Sequence, residues 1–167
     1  MNESFESLQQ NPLQQAYEML GVDSMRELSR AYTEEDQRLM KEGEWDYKNS
    51  ELLTNKIKNL LEQTDESGLS EEEKEWRGEI LWFWYHHAIS CAVARYRDQK
   101  EAQGFALKAV EYQSEDHPNQ ITKLLKHLVF GELELAEQLA EKIEIDYEKE
   151  TAKELIEDYK EGKFFSE

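Results

Sequence analysis

Two histidines and the only cysteine of the chain stand close together, at His86, His87 and Cys91. On a helix, His87 and Cys91 are four residues apart and project from one face, where they could hold a soft metal ion such as zinc. Such a site needs at least one more ligand, from His117, His127 or a carboxylate. His86 projects about 100° away from His87 and serves another face. Because apolar residues surround this cluster, the sequence favours core histidine and cysteine side chains over a metal site, and we predict no cofactor.

Carboxylates offer a second kind of metal chemistry. Two sets share a helical face: Glu72, Glu75 and Glu79, and Glu150, Glu154 and Asp158. If the two sets met, they could hold Mg²⁺ against a phosphate substrate, as in all-helical pyrophosphohydrolases. Such spacing is also ordinary on the solvated helices of an acidic chain. The sequence has no glycine-rich phosphate loop, serine nucleophile elbow or paired CxxC motif, so it favours a non-enzymatic role.

The residues around the histidines, 76–96, form the most apolar and aromatic stretch of the chain. Apolar side chains recur there at spacings of three and four on two faces, which predicts a helix buried from more than one side. Ser70 and Glu73 have the spacing of a capping box and mark its start. The aromatic run at 82–85 is predicted to be core, with a hydrophobic pocket as the alternative.

Membrane insertion of this stretch is not expected. The run without charged residues, 80–94, includes two histidines and is shorter than the about 20 apolar residues that cross a bilayer. One cysteine permits no internal disulfide, and no signal-peptide pattern is present, so the sequence predicts a cytoplasmic protein. The net charge of −18 disfavours both nucleic acid and anionic membranes as partners.

Length and composition predict one all-α domain over residues 1–167. Two prolines and seven glycines are few, and 38% hydrophobic residues suffice for a core. Cap and turn signals divide the chain into about seven helices, the third over 46–63, with the clearest loop at 64–69. That loop suggests a subdivision into N-terminal helices at 12–64, a repeat-like half at 70–161 and a tail at 162–167.

Two segments of the C-terminal half align with each other at an offset of 34 residues. Superposing residues 86–113 on 120–147 brings Ala102 onto Ala136 and Ala106 onto Ala140. Small residues at these places let two antiparallel helices approach closely, so each segment is predicted to be a helical hairpin that stacks on the next.

A hairpin of this length with alanines in its second helix resembles a tetratricopeptide repeat, over about residues 82–147. The resemblance implies a compact antiparallel helical bundle with two such hairpins and a C-terminal capping helix. It also implies a groove that binds a protein or peptide, lined by the first helix of each hairpin. The candidate lining residues are His86, Ser90, Asn119, Gln120, Lys123 and Lys126. An ordinary helical bundle with accidental periodicity is the alternative.

These patterns favour an adaptor or regulatory protein that binds a protein partner. The contact would be made by the groove or by the tail, through Phe164 and Phe165. Two other functions stay open. The acidic flanks could imitate nucleic acid and occupy a basic site on another protein, or the carboxylate sets could serve a magnesium-dependent hydrolase.

Overall fold

The computed structural model describes residues 11–165, and within them the fold is all-α, as predicted, with no strand. Eight α-helices follow one another: α1 (Pro12–Leu20), α2 (Met25–Glu42), α3 (Leu53–Glu62), α4 (Glu71–Cys91), α5 (Gln99–Tyr112), α6 (Ile121–Val129), α7 (Leu133–Lys142) and α8 (Asp146–Lys160). A 3₁₀ turn (Glu66–Gly68) precedes α4. Among these helices none has the length and apolar character that crossing a membrane requires.

The predicted capping box at the start of α4 is confirmed. The backbone N–H of Glu73 donates to Ser70 Oγ at 3.1 Å, and the backbone N–H of Ser70 donates to Glu73 Oε1 at 2.9 Å. Two N–H groups that the first turn leaves without helical partners are thereby satisfied. Asp98 caps α5 in a simpler way, because its Oδ1 accepts from the backbone N–H of Glu101 at 3.0 Å.

The sequence predicts the central helix over residues 76–96, whereas its α-helical part ends earlier, at Cys91. After Cys91 the chain makes one π-helical turn, Ala92–Tyr96. Arg97 then adopts the left-handed conformation with φ 49°, and the backbone N–H of Asp98 donates to the carbonyl of Ala92 at 2.9 Å. The wide turn closes the helix and redirects the chain into α5.

The third helix begins seven residues later than predicted, at Leu53 instead of residue 46. The Asn55 side chain donates to the carbonyls of Asp46 at 2.8 Å and Asn49 at 2.7 Å. The Asp46 and Asn49 side chains in turn accept from backbone N–H groups two residues further along. Side-chain bonds of this kind compete with helical ones, and they hold residues 46–52 in turns.

By its internal contacts the chain divides into two units, and the division lies within α4, between Trp84 and Tyr85. In the first unit, α1, α2 and α3 pack on one another. Its interior contains Trp45 and Trp84, whose ring centroids are 5.7 Å apart. The Trp45 indole N–H donates to Asp36 Oδ1, and that of Trp84 donates to Asn55 Oδ1, both at 2.8 Å. Each large ring is thus both buried and oriented by a polar group.

In the second unit, α6 packs on α5, α7 and α8, and α7 also packs on α8. Helices α5 and α6 are antiparallel. The Gln103 side chain at the start of α5 donates to the carbonyl of Val129 at the end of α6, at 3.0 Å. At the other end, the Gln113 side chain donates to the carbonyl of Asn119, at 2.7 Å. Many small residues lie in this interior, and the alanines with no exposed surface are Ala88, Ala92, Ala102, Ala106, Ala109, Ala136 and Ala152.

Candidate functional site

The last turns of α4 and the first turn of α6 are joined by a side-chain hydrogen bond. His86 Nδ1 and Thr122 Oγ1 are 2.8 Å apart, and Thr122 is fully buried. The first helices of the two predicted hairpins are therefore in contact at this point. Ser90, one turn after His86 on the same helix, is half-buried.

Burial keeps His86 neutral. Loss of solvation, with smaller contributions from His87 and His117, lowers the pKa of His86 to about 3. Its imidazole therefore carries no charge at neutral pH, and it holds α4 against α6 as a hydrogen-bonding side chain. The structure thus gives His86, a predicted groove residue, a role in positioning the two helices.

The loop before α6 is held by a compact polar cluster. The backbone N–H of Asn119 donates to His117 Nδ1 at 3.1 Å, so that nitrogen carries no proton and the neutral ring has its proton on Nε2. Asn119 Oδ1 accepts from the backbone N–H of Ile121 at 2.8 Å. The backbone N–H of Gln120 donates to Oε1 of the buried Glu148 on α8, at 3.0 Å. Asn119 and Gln120, predicted as groove residues, thus organise the start of α6.

The outward side of α6 carries Lys123, Lys126, His127 and Phe130, which we call the α6 face. These residues recur at spacings of three and four, so they lie on one side of the helix. The first three are half-buried, and Phe130 is 37% exposed. His127 Nδ1 lies 2.9 Å from Glu132 Oε1. The sequence analysis placed the lysines in the groove but named His127 only as a possible metal ligand and did not name Phe130, although their spacing from Lys123 was visible in the sequence.

Neither lysine of the α6 face has an ion-pair partner in the described part of the chain. Elsewhere lysines do pair: Lys58 Nζ is 2.8 Å from Glu62 Oε1, and Lys160 Nζ is 2.9 Å from Glu137 Oε2. The α6 face thus carries two lysines without ion-pair partners among the described residues, next to His127 and its partner Glu132.

The tail residues split between two environments. Phe164 is buried and contacts the Tyr159 ring edge-to-face, with ring centroids 5.6 Å apart. Phe165, which is half-buried, contacts Phe164 in the same manner at 6.0 Å. Phe164 is thus an interior residue of the second unit, whereas the sequence suggested a tail that offers both rings to a partner.

The two residues of the predicted metal pair, His87 and Cys91, are half-buried on α4. Over residues 11–165 there is no group of three or more histidine, cysteine, aspartate or glutamate side chains that could hold a metal ion. We therefore assign no ligand role to this pair or to the carboxylate sets.

A groove in the first unit was not located from the sequence. One face of α2, with the small residues Ser29 and Thr33, lies opposite α4. Between them are an open depression of about 460 Å³, bordered by Trp76, and a recess of about 140 Å³, lined by Trp82 and Phe83. The aromatic run at 82–85 therefore contributes to a pocket wall as well as to the core.

Comparisons of the chain with models of protein families, with curated proteins and with solved structures give no match.

Proposed function

We propose that this chain binds a protein partner non-enzymatically, through the α6 face, with Ser90 on α4 as a further candidate contact. Support comes first from the order of helix contacts in the second unit. Each of α6, α7 and α8 packs on the helix before it, and α6 also packs on α8. Arrays built in this way expose one side of successive helices as a continuous surface, which is how helical repeats bind proteins.

The observation that carries the proposal is the state of the two lysines. Lys123 and Lys126 are half-buried and have no ion-pair partner among the described residues, although the chain contains 38 acidic residues. Half-burial of a lysine covers chiefly its aliphatic stem, and an ammonium group without a counter-ion adds no ion-pair energy to the fold. The two ammonium groups form no ion pair in the folded chain, and we propose that they form ion pairs with a bound partner.

The acidic flanks support nucleic-acid imitation less well. On α8 the acidic residues alternate with lysines, and Lys153 Nζ lies 3.9 Å from Glu150 Oε1. Beyond the helix, Lys163 Nζ lies 3.6 Å from Asp158 Oδ1. Neighbouring cations reduce the negative potential that a phosphate-like surface requires.

Site-specific photocrosslinking in the native cell tests the proposal. Phe130 on the α6 face is replaced by p-benzoylphenylalanine, which preserves an aromatic ring at an accessible position. The matched control carries the same residue at Tyr147, a 72% exposed aromatic at the start of α8. We expect one discrete protein to be crosslinked from position 130 and not from position 147.

Equal products from the two positions, or none from position 130, would contradict the proposal. Circular dichroism of both variants ensures that the comparison is made on folded protein.

A further inference from the structure

We infer that the partner presents an acidic segment, whose carboxylates contact the ammonium groups of Lys123 and Lys126. This inference rests on the proposed protein-binding function and adds the chemistry of the partner. It follows from the charges on α6, from their surroundings and from the apolar side chain at the end of the face.

Helix α6 is the only one of the eight described helices without an aspartate or glutamate, although the chain as a whole is strongly acidic. Its two lysines are three residues apart and share a face, where like charges repel each other. Neither ammonium group is ion-paired within the described residues, so both are available to carboxylates of a partner.

The residues around the two ammonium groups indicate which other side chains the acidic segment contains. Phe130 ends the α6 face and is 37% exposed, so it can contact an apolar side chain of the segment. Half-burial of the lysine stems restricts their motion, which lowers the entropic cost of forming an ion pair. The best occupant is a short acidic stretch of protein with an apolar or aromatic residue next to its carboxylates.

A nucleic acid fits this surface less well. Phosphate binding depends on several clustered cations, because each neutralised phosphate adds only part of the affinity. The α6 face supplies two lysines, and the whole chain carries a net charge of −18, which repels a polyanion more strongly than a short peptide with few charges.

Fluorescence polarisation with defined probes tests the inference on the full chain. The probe is a short fluorescein-labelled peptide in which glutamates flank one phenylalanine, and a second peptide has glutamine in place of each glutamate. We expect saturable binding of the acidic peptide alone, weakening as salt is added. The double variant K123E/K126E should bind it about tenfold more weakly, because the substitutions remove both cations and add two anions.

The matched control is K100E/K142E. It changes the net charge equally, at two exposed lysines on α5 and α7, and should bind the acidic peptide within about twofold of the wild type. Equal loss in the two double variants would show only a general charge effect and would overturn the inference. Equal binding of the glutamine peptide, no saturable binding of the acidic one, or equal binding of a single-stranded oligonucleotide would also overturn it.

The crosslinked partner separates this inference from the proposed function. Mass spectrometry locates the segment of the partner that is joined to position 130. An acidic segment, with crosslinking reduced in K123E/K126E, supports both proposals. A neutral or basic segment leaves the protein-binding function intact and contradicts the acidic ligand, whereas no specific crosslink contradicts the function itself.

Discussion

The two units of this protein fill their interiors in different ways. In the first unit, the interior depends on large rings that hydrogen bonds orient, such as Trp45 on Asp36 and Trp84 on Asn55. In the second unit, the interior depends on alanines with no exposed surface, such as Ala102 and Ala106 on α5. The first interior depends on directional bonds between named partners, whereas in the second the buried alanines pack among aliphatic side chains such as Leu124 and Leu128.

This difference predicts which kind of substitution, truncation or enlargement, destabilises each interior more. An oriented ring fills a large volume, so its removal leaves a cavity and a polar group that has lost a donor. An alanine between close helices occupies little volume, so its enlargement forces the helices apart. The first unit should therefore be sensitive to truncation, and the second to enlargement.

The largest effect is expected for Trp45→Ala. The substitution removes a 4% exposed indole that packs on Trp84 and donates to Asp36. We expect a loss of about 3–5 kcal/mol in the free energy of unfolding, because buried aromatic residues stabilise by about this amount. Urea denaturation followed by far-ultraviolet circular dichroism measures it.

Trp45→Phe serves as the control, because it retains an aromatic ring and removes the N–H donor. It should cost less than the alanine variant, about 1–3 kcal/mol. If Trp45→Ala costs under about 1 kcal/mol, the oriented ring does not stabilise the first unit as described.

A smaller effect is expected for Ala106→Leu in the second unit. Ala106 has no exposed surface, and α5 packs closely on α6. Overpacking of a filled interface costs about 1–3 kcal/mol, and thermal unfolding should show a corresponding decrease in Tm.

Gly104→Leu on the same helix is the matched comparison. Gly104 is exposed, and a Cβ added there meets no atom within 4 Å. That substitution should be neutral or stabilise by up to about 1 kcal/mol, because leucine favours helix over glycine. Equal destabilisation by the two leucines would mean that close packing at Ala106 is not the cause.

The smallest effect is the pH dependence from His86. Its pKa is about 3 in the folded protein, below the ordinary value of 6.5 for an accessible histidine. Between these values the unfolded chain binds a proton that the folded chain excludes, so stability is complete above about pH 6.5 and declines as the pH falls. From pH 7 to 5.5 the loss should be about 1 kcal/mol.

Urea denaturation of the wild type and of His86→Asn at the two pH values isolates this contribution. Asparagine can hydrogen-bond to Thr122 but does not titrate. His87 and His117, which act on His86, are present in both proteins and cancel in the difference. An unchanged pH dependence in the variant would show that His86 is not the residue responsible.

Local features of the fold could be predicted because they depend on a few neighbouring residues. The capping box of Ser70 and Glu73, the helical character of the chain and the alanine positions all follow from spacing along the sequence. The start of α3 could not be predicted, because the Asn55 side chain bonds to carbonyls that lie six and nine residues earlier.

For the candidate site, the sequence by itself determined that Lys123 and Lys126 share one side of a helix that has no acidic residue. Only the tertiary structure decided that neither lysine finds a carboxylate among the described residues, that His86 joins α4 to α6, and that Phe164 is buried. The physical reason is the separation along the chain of the residues that determine each property. Periodicity reports which residues share a helical face, whereas burial and ion pairing depend on residues that folding brings from distant parts of the chain.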